Sequence, residues 1–232
     1  MDNTFNFSIR QALREAWVTF KTHYKFFLGV AAITVLLNIA GGRHTPWIVE
    51  LILGVASFFW SIIWLKLSLA AAKNEEGKLT AASLWENLPS WKDALYLIGI
   101  GIVGGILFLC GLILLVIPGI YIGVRLSLSN LAYLDRKEGV KASLRYSWNI
   151  TKGKGWTVLL TGLVVIALYV LGVFAIGVGL LVAYPIASIL MARLYYALSD
   201  DYNKAETVVV QPVEIPADLP GVHTERESEK LQ

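Results

Sequence analysis

Residues 118–128 read PGIYIGVRLSL. A proline–glycine pair opens an apolar run, and seven residues on, Arg125 stands in a stretch otherwise fit for hydrocarbon. If the pair breaks the chain, residues 94–117 and 119–134 are two helices folded back on each other; if not, they form one long bent helix. Proline lacks the amide donor a continuing helix needs and glycine permits a sharp reversal, so a hairpin tip is expected at Pro118-Gly119.

Working outward, similar apolar stretches occupy residues 24–40, 47–72, 156–176 and 179–198. Most approach the roughly 20 residues a helix needs to cross about 30 Å of hydrocarbon. With 119–134 the shortest, the pattern predicts six transmembrane helices. Gly41-Gly42 through Pro46, and Gly177-Val178-Gly179, repeat the breaker chemistry of Pro118-Gly119, which makes three hairpins. The composition agrees with a membrane class: 56% of the 232 residues are hydrophobic and only 16% charged, against about 25% charged in soluble domains. Cys110 is the single cysteine, so neither a disulfide framework nor a cysteine metal site is expected.

Positive charge sets the expected orientation. Arg10, Arg14, Lys21 and Lys25 precede the first stretch; Lys73, Lys78 and Lys92 lie between the second and third; Arg136, Lys137, Lys141, Arg145, Lys152 and Lys154 lie between the fourth and fifth. The three tips hold only Arg43. Short basic loops stay inside, which predicts a multi-pass protein of the cytoplasmic membrane with both termini cytoplasmic. The first apolar run follows more than twenty polar and charged residues without a cleavage pattern, so it reads as a retained helix and not a signal peptide. From Ser199 on, prolines and acidic residues without helical period predict a disordered cytoplasmic tail over 199–232, and residues 1–198 form the membrane domain.

The chain also repeats itself. LREAWVTFK at 13–21 matches LRYSWNITK at 144–152, with a weaker copy, LWENLPSWK, at 84–92. Each copy precedes a hairpin, giving units of about 5–72, 80–134 and 139–198, each led by an amphipathic segment. In the first, Ile9, Leu13, Ala16, Trp17, Phe20 and Tyr24 recur at helical spacing, with Arg10, Arg14 and Lys21 off that stripe and Ser8 placed to cap. In the third, Val140, Leu144 and Trp148 share one side. Arg14, Trp17 and Lys21, and Arg145, Trp148 and Lys152, are thus candidate interfacial residues meeting lipid headgroups; packing of the stripes on the protein itself is the alternative.

A second echo lies in the even-numbered stretches: KLSLAAA at 66–72, RLSLSNLA at 125–132 and RLYYALSD at 193–200. Each second helix carries one basic residue followed by leucine. Arg125 lies ten residues before Asp135, ~15 Å along a straight helix. Arginine at mid-membrane costs about 2.5–3.5 kcal/mol, so it faces a bundle interior, a wet cavity or a partner. No acid within a span is an obvious partner. If the helices converge, Lys66, Arg125 and Arg193 line a cytoplasm-facing cavity for an anion or lipid headgroup; otherwise all three snorkel to the interface.

Gly101-x-x-x-Gly105, Gly119-x-x-x-Gly123 and Ala175-x-x-x-Gly179 are expected to pack the chain's own helices. Catalytic constellations are missing: His23, His44 and His223 lie in separate segments, no HExxH or P-loop occurs, and Asp200-Asp201 reads as a solvated helix end. No catalytic residue, metal or cofactor is expected, and the basic loops suit lipid headgroups better than nucleic acid.

The segments IPGIYIGVRLSLSNLAYLD, GVKASLRYSWNITKGKGW and GVGLLVAYPIASILMARLYYAL resemble a group of bacterial six-helix membrane proteins that includes the glycerophosphoryl diester phosphodiesterase membrane domain. The resemblance covers roughly residues 5–200 and is most specific around Pro118-Gly119, Arg125 and Leu144–Trp148. It implies a prokaryotic plasma-membrane protein. It does not imply phosphodiesterase activity, which in that enzyme belongs to a separate soluble barrel. The expected role is a non-enzymatic membrane scaffold or accessory module engaging lipids or partner proteins at the cytoplasmic face, with a transporter or lipid-handling protein as the alternative.

Overall fold

The computed structural model describes residues 7–39, 46–73, 88–114, 116–175 and 178–210. Among them the fold is all-α, with no strand. In chain order the helices are α1 (Ile9–Thr22), α2 (Tyr24–Ile39), α3 (Trp47–Ala72), α4 (Trp91–Leu114), α5 (Val116–Leu126), α6 (Ser129–Arg136), α7 (Val140–Ile150), α8 (Gly155–Phe174) and α9 (Val178–Val210). Four segments, Trp47–Ala72, Trp91–Ile113, Gly155–Phe174 and Gly179–Thr207, are long and apolar enough to cross a membrane.

Pro118 and Gly119 do not form a loop; both lie within α5, which packs on α4. Gly111 of α4 and Gly119 of α5 lie backbone against backbone, and a Cβ added at Gly119 would sit 2.9 Å from the Cα of Leu112. Eight residues of one straight helix would separate positions 111 and 119 by ~12 Å. Pro118 instead lies in the first turn of α5, where its missing N–H would have had no helical partner. Leu115 lies outside the described residues.

The fourth apolar stretch is not one helix. α5 ends at Leu126, a turn passes through Ser127 and Leu128, and α6 follows. Serine hydroxyls take up carbonyls on both sides of the turn: Ser127 Oγ donates to Val124 O at 2.9 Å and Ser129 Oγ to Leu126 O at 2.6 Å. These bonds compete locally with the helical ladder and accompany the break. The straight-helix depth expected for Arg125 therefore does not apply. α6 ends on Lys137, left-handed at φ 56, whose N–H donates to Tyr133 O at 2.7 Å.

α2 and α3 run antiparallel. Phe27 meets Trp64 with ring centroids 6.3 Å apart, and Trp60 Nε1 donates to Thr34 Oγ1 at 2.8 Å. α8 and α9 lie close together at Gly172 and Gly179, where a Cβ added at Gly179 would be 2.8 Å from Gly172 Cα. Gly119, Gly123 and Gly179 thus pack internal helices as expected. Gly101 and Gly105 do not: a Cβ at either meets nothing within 4 Å. The tip at Gly41-Gly42 and the middle amphipathic copy through Asn87 fall outside the described residues. Leu88, Pro89 and Ser90 are not helical, and Trp91 opens α4.

Disorder beginning at Ser199 is also corrected. α9 carries Pro185 in its interior and runs without interruption to Val210; the rest of the expected tail lies outside the described residues. Burial concentrates at one end of the bundle. In α3 the buried residues begin at Ile62, in α4 the buried side chains end at Ile100, and in α9 they extend from Ala183 to Ser199. The basic-Leu motifs supply the centre of this core: Leu67, Leu69, Leu126, Leu128, Leu131, Leu194, Tyr195 and Leu198 are all buried. Outward of it, Trp47, Ile113 and Phe174 are 73%, 84% and 81% exposed.

Candidate functional site: three docked cations and two cation–tryptophan faces

Lys66, Arg125 and Arg193 are each engaged by another part of the chain. Each docks on a different helix, and the order is regular. Lys66 of α3 pairs with Asp93, two residues into α4, at 3.3 Å. Arg125 of α5 reaches α7. Arg193 of α9 returns to the chain's start and pairs with the Glu15 carboxylate of α1, with Thr19 Oγ1 3.4 Å away. Arg125 thus holds α7 and Arg193 holds α1, the two amphipathic helices, while Lys66 holds the start of α4.

Arg125 has no carboxylate partner among the described residues. Its Nη1 donates to Trp148 O at 3.2 Å and its Nη2 to Tyr121 Oη at 2.6 Å. The guanidinium carbon lies 4.9 Å from the Tyr121 ring centroid and 5.4 Å from that of Trp148. Ser147 Oγ donates back to Arg125 O at 2.7 Å. At 6% exposure the charge is removed from solvent and stabilised by a carbonyl, a phenol and two aromatic faces.

The acids overlooked in the sequence are Asp93 and Glu15. Asp93 stands one residue outside the third apolar stretch and reads as a solvated edge, yet it is 8% exposed. It accepts from Lys137 Nζ at 2.8 Å and from Tyr133 Oη at 3.1 Å, in addition to Lys66. Glu15 belongs to the amphipathic motif itself, where its partner lies 178 residues away. Asp135 collects Lys73 at 3.2 Å, Tyr195 Oη at 3.0 Å and Tyr196 Oη at 3.1 Å. Asp201, expected to be solvated, pairs with Lys154. Partial burial works against the Arg136 charge, but the neighbouring Glu138 carboxylate outweighs it and raises the Arg136 pKa above its ordinary value.

The two amphipathic helices turn matching faces inward and outward. α1 and α7 begin at residues 9 and 140, and α2 and α8 at 24 and 155, so both starts are 131 positions apart. At that same spacing Ala12 and Ser143, Ala16 and Ser147, and Phe20 and Thr151 are all buried. Outward stand Arg10 and Lys141, Arg14 and Arg145, Trp17 and Trp148, and Lys21 and Lys152, every one exposed. The expected apolar stripe is therefore divided: Ala16, Phe20 and Leu144 pack on the bundle, while the tryptophans accompany the cations. Ser8 caps α1 as expected, its Oγ accepting from Gln11 N at 3.3 Å.

No protein-family model matches the chain, and it shows no significant similarity to a curated protein or to a solved structure.

Proposed function

We propose that this chain is a non-enzymatic integral membrane module of three degenerate hairpin units, both termini cytoplasmic, that engages anionic lipid headgroups at the cytoplasmic face through α1 and α7. A prokaryotic plasma membrane, and kinship with the six-helix group it resembles, belong to the same proposal. The observation that carries it is the twice-presented outward set of Arg or Lys, Arg, Trp and Lys at matching positions along α1 and along α7 with the turn that follows it. Cations beside an exposed indole suit a phosphate-rich interface, where each basic residue near an anionic surface is worth about 1 kcal/mol. The clustering of Lys and Arg in the loops that flank these helices supports their cytoplasmic placement. The three hairpins remain part of this reading, supported by the antiparallel contacts at Phe27–Trp64, Gly111–Gly119 and Gly172–Gly179. A surface of this kind also offers partner proteins a fixed platform. Transport through a cavity shared by Lys66, Arg125 and Arg193 is not favoured, since each cation is engaged on a different helix.

The test is native mass spectrometry of protein purified from membranes and exchanged into mixed phosphatidylglycerol and phosphatidylcholine nanodiscs. The variant Arg14→Glu/Lys21→Glu/Arg145→Glu/Lys152→Glu should keep its helical content and lose at least about tenfold in phosphatidylglycerol enrichment. Unchanged enrichment in a folded variant would overturn the lipid-engaging role.

A further inference from the structure

The junction between the second and third hairpins contains a groove of about 220 Å³, lined by Gly123, Val124 and Ser127 of α5 and the turn after it, Val158 and Gly162 of α8, and Met191 of α9. Its walls are almost wholly carbon. We propose that this groove binds one acyl chain of a phospholipid whose headgroup phosphate rests against Lys152. The inference rests on the cytoplasmic placement of α7 in the preceding section and adds a defined lipid site to its diffuse headgroup contacts.

Three observations support it. First, the hollow follows from small side chains at a position filled elsewhere in the molecule. At the 131-residue spacing shared by the helix starts, Val158 and Gly162 correspond to Phe27 and Ala31. Phe27 is 2% exposed and packs in one cluster with Ala31, Ile186 and Ile189 against α9. At Gly162 an added Cβ meets nothing within 4 Å. One junction is plugged by a ring, and its counterpart is left open.

Second, the dimensions suit a single chain. The α8 lining runs from Val158 to Ile166, ~12 Å along the helix, close to the ~15 Å half-thickness of a hydrocarbon core. A transmembrane helix, about 10 Å across with its side chains, does not fit so small a groove. Third, the chemistry changes at the groove's cytoplasmic mouth. Lys152 is exposed in the turn just before α8, and Trp156 in the first turn is 71% exposed, a residue type that favours the headgroup level. Gly155, between these two residues, lies beside the groove, where an added Cβ would be 3.9 Å from Val124 Cγ1. A lipid lying there meets a cation at its phosphate and only carbon along its tail.

The experiment compares the full chain with its Gly162→Leu and Lys152→Glu variants, measuring phospholipid retained after detergent purification. Leucine at 162 has room to enter the groove, so the thermal midpoint should hold while tightly retained phospholipid falls at least fivefold. Lys152→Glu should lower retention of phosphatidylglycerol more than that of phosphatidylcholine. In parallel, a phosphatidylglycerol carrying a diazirine in its acyl chain should crosslink chiefly to the peptide spanning Val158–Ile166 in the parent and lose that product in Gly162→Leu. Retention unchanged in Gly162→Leu, or crosslinks spread evenly over the apolar surface, overturns the site. The broader lipid-engaging role fails separately, if the triple reversal Arg14→Glu/Lys21→Glu/Arg145→Glu, with Lys152 kept, leaves enrichment intact while Gly162→Leu still strips the bound lipid.

Discussion

Arg125 shows what an isolated charge inside an apolar stretch is for in this chain: it fastens α7 to α5. Replacing it with leucine removes the charged donor to Trp148 O and leaves that carbonyl only the Thr151 hydroxyl, at 3.2 Å; hydrogen bonds to charged groups contribute about 1.5–3 kcal/mol. Arg125→Leu should therefore destabilise the protein by about 2 kcal/mol in detergent thermal unfolding and expose the turn at Thr151–Lys154 to protease. Arg125→Lys should recover only part of this, because an ammonium lacks the planar fork that reaches Trp148 O and Tyr121 Oη together. Arg193 and Glu15 call for a different expectation. The Glu15 side chain is 43% exposed, so solvent screens the pair and a double-mutant cycle with Glu15→Gln and Arg193→Gln should give a coupling of about 1 kcal/mol. A coupling near zero would remove the pair as a tie between α1 and α9. The basic-Leu steps were legible in the sequence because they recur in one register. Their partners were not: Asp93 lies beyond the edge of an apolar run, and Glu15 is set by a contact between opposite ends of the chain.

Among the elements, the α4–α5 pair carries the sharpest packing requirement. A methyl group at Gly119 would strike the backbone of Leu112, which cannot move without moving the helix, whereas one at Gly101 enters open space. Gly119→Ala should lower stability by about 2 kcal/mol. Gly101→Ala should cost nothing and, through better helix propensity, gain up to about 1 kcal/mol. Equal losses in a thermal assay would contradict the close approach. The existence of a break near Pro118 was readable from composition; its position was not, because proline is as acceptable in the first turn of a helix as in the loop before it. The end of α5 was hidden for the opposite reason. Ser127 and Ser129 lie within an apolar run, and their pull on the carbonyls becomes visible only once the backbone is known. α9 outlasted its apolar stretch because Tyr202 packs on Tyr146 and Asp201 pairs with Lys154, tertiary contacts that a composition-based boundary ignores.

At the scale of the whole molecule, the docking order closes the chain on itself: α3 holds α4, α5 holds α7, and α9 holds α1. The proposed topology makes a direct forecast. In a Cys110→Ser background, single cysteines at Lys141 and Lys204 should both react with a membrane-impermeant maleimide only after the cells are opened. Labelling of either in intact cells would reverse the orientation. What amphipathic periodicity conveyed was that α1 and α7 have two chemically different faces; it did not tell which side belonged to protein, since alanine and serine carry too little apolar signal to mark a buried seam. Those small residues let the helices sit close on the bundle and push the indoles outward.

The confinement of burial to one end has a mechanical corollary. Helices interlocked near Lys66, Arg125 and Arg193 form a packed hub, while the distal parts of α3, α4 and α8 expose apolar side chains. A bilayer that thins or thickens therefore meets compliance at the far ends and resistance at the hub, so tilt is taken up in the distal stretches while the faces carrying Trp17 and Trp148 keep their spacing.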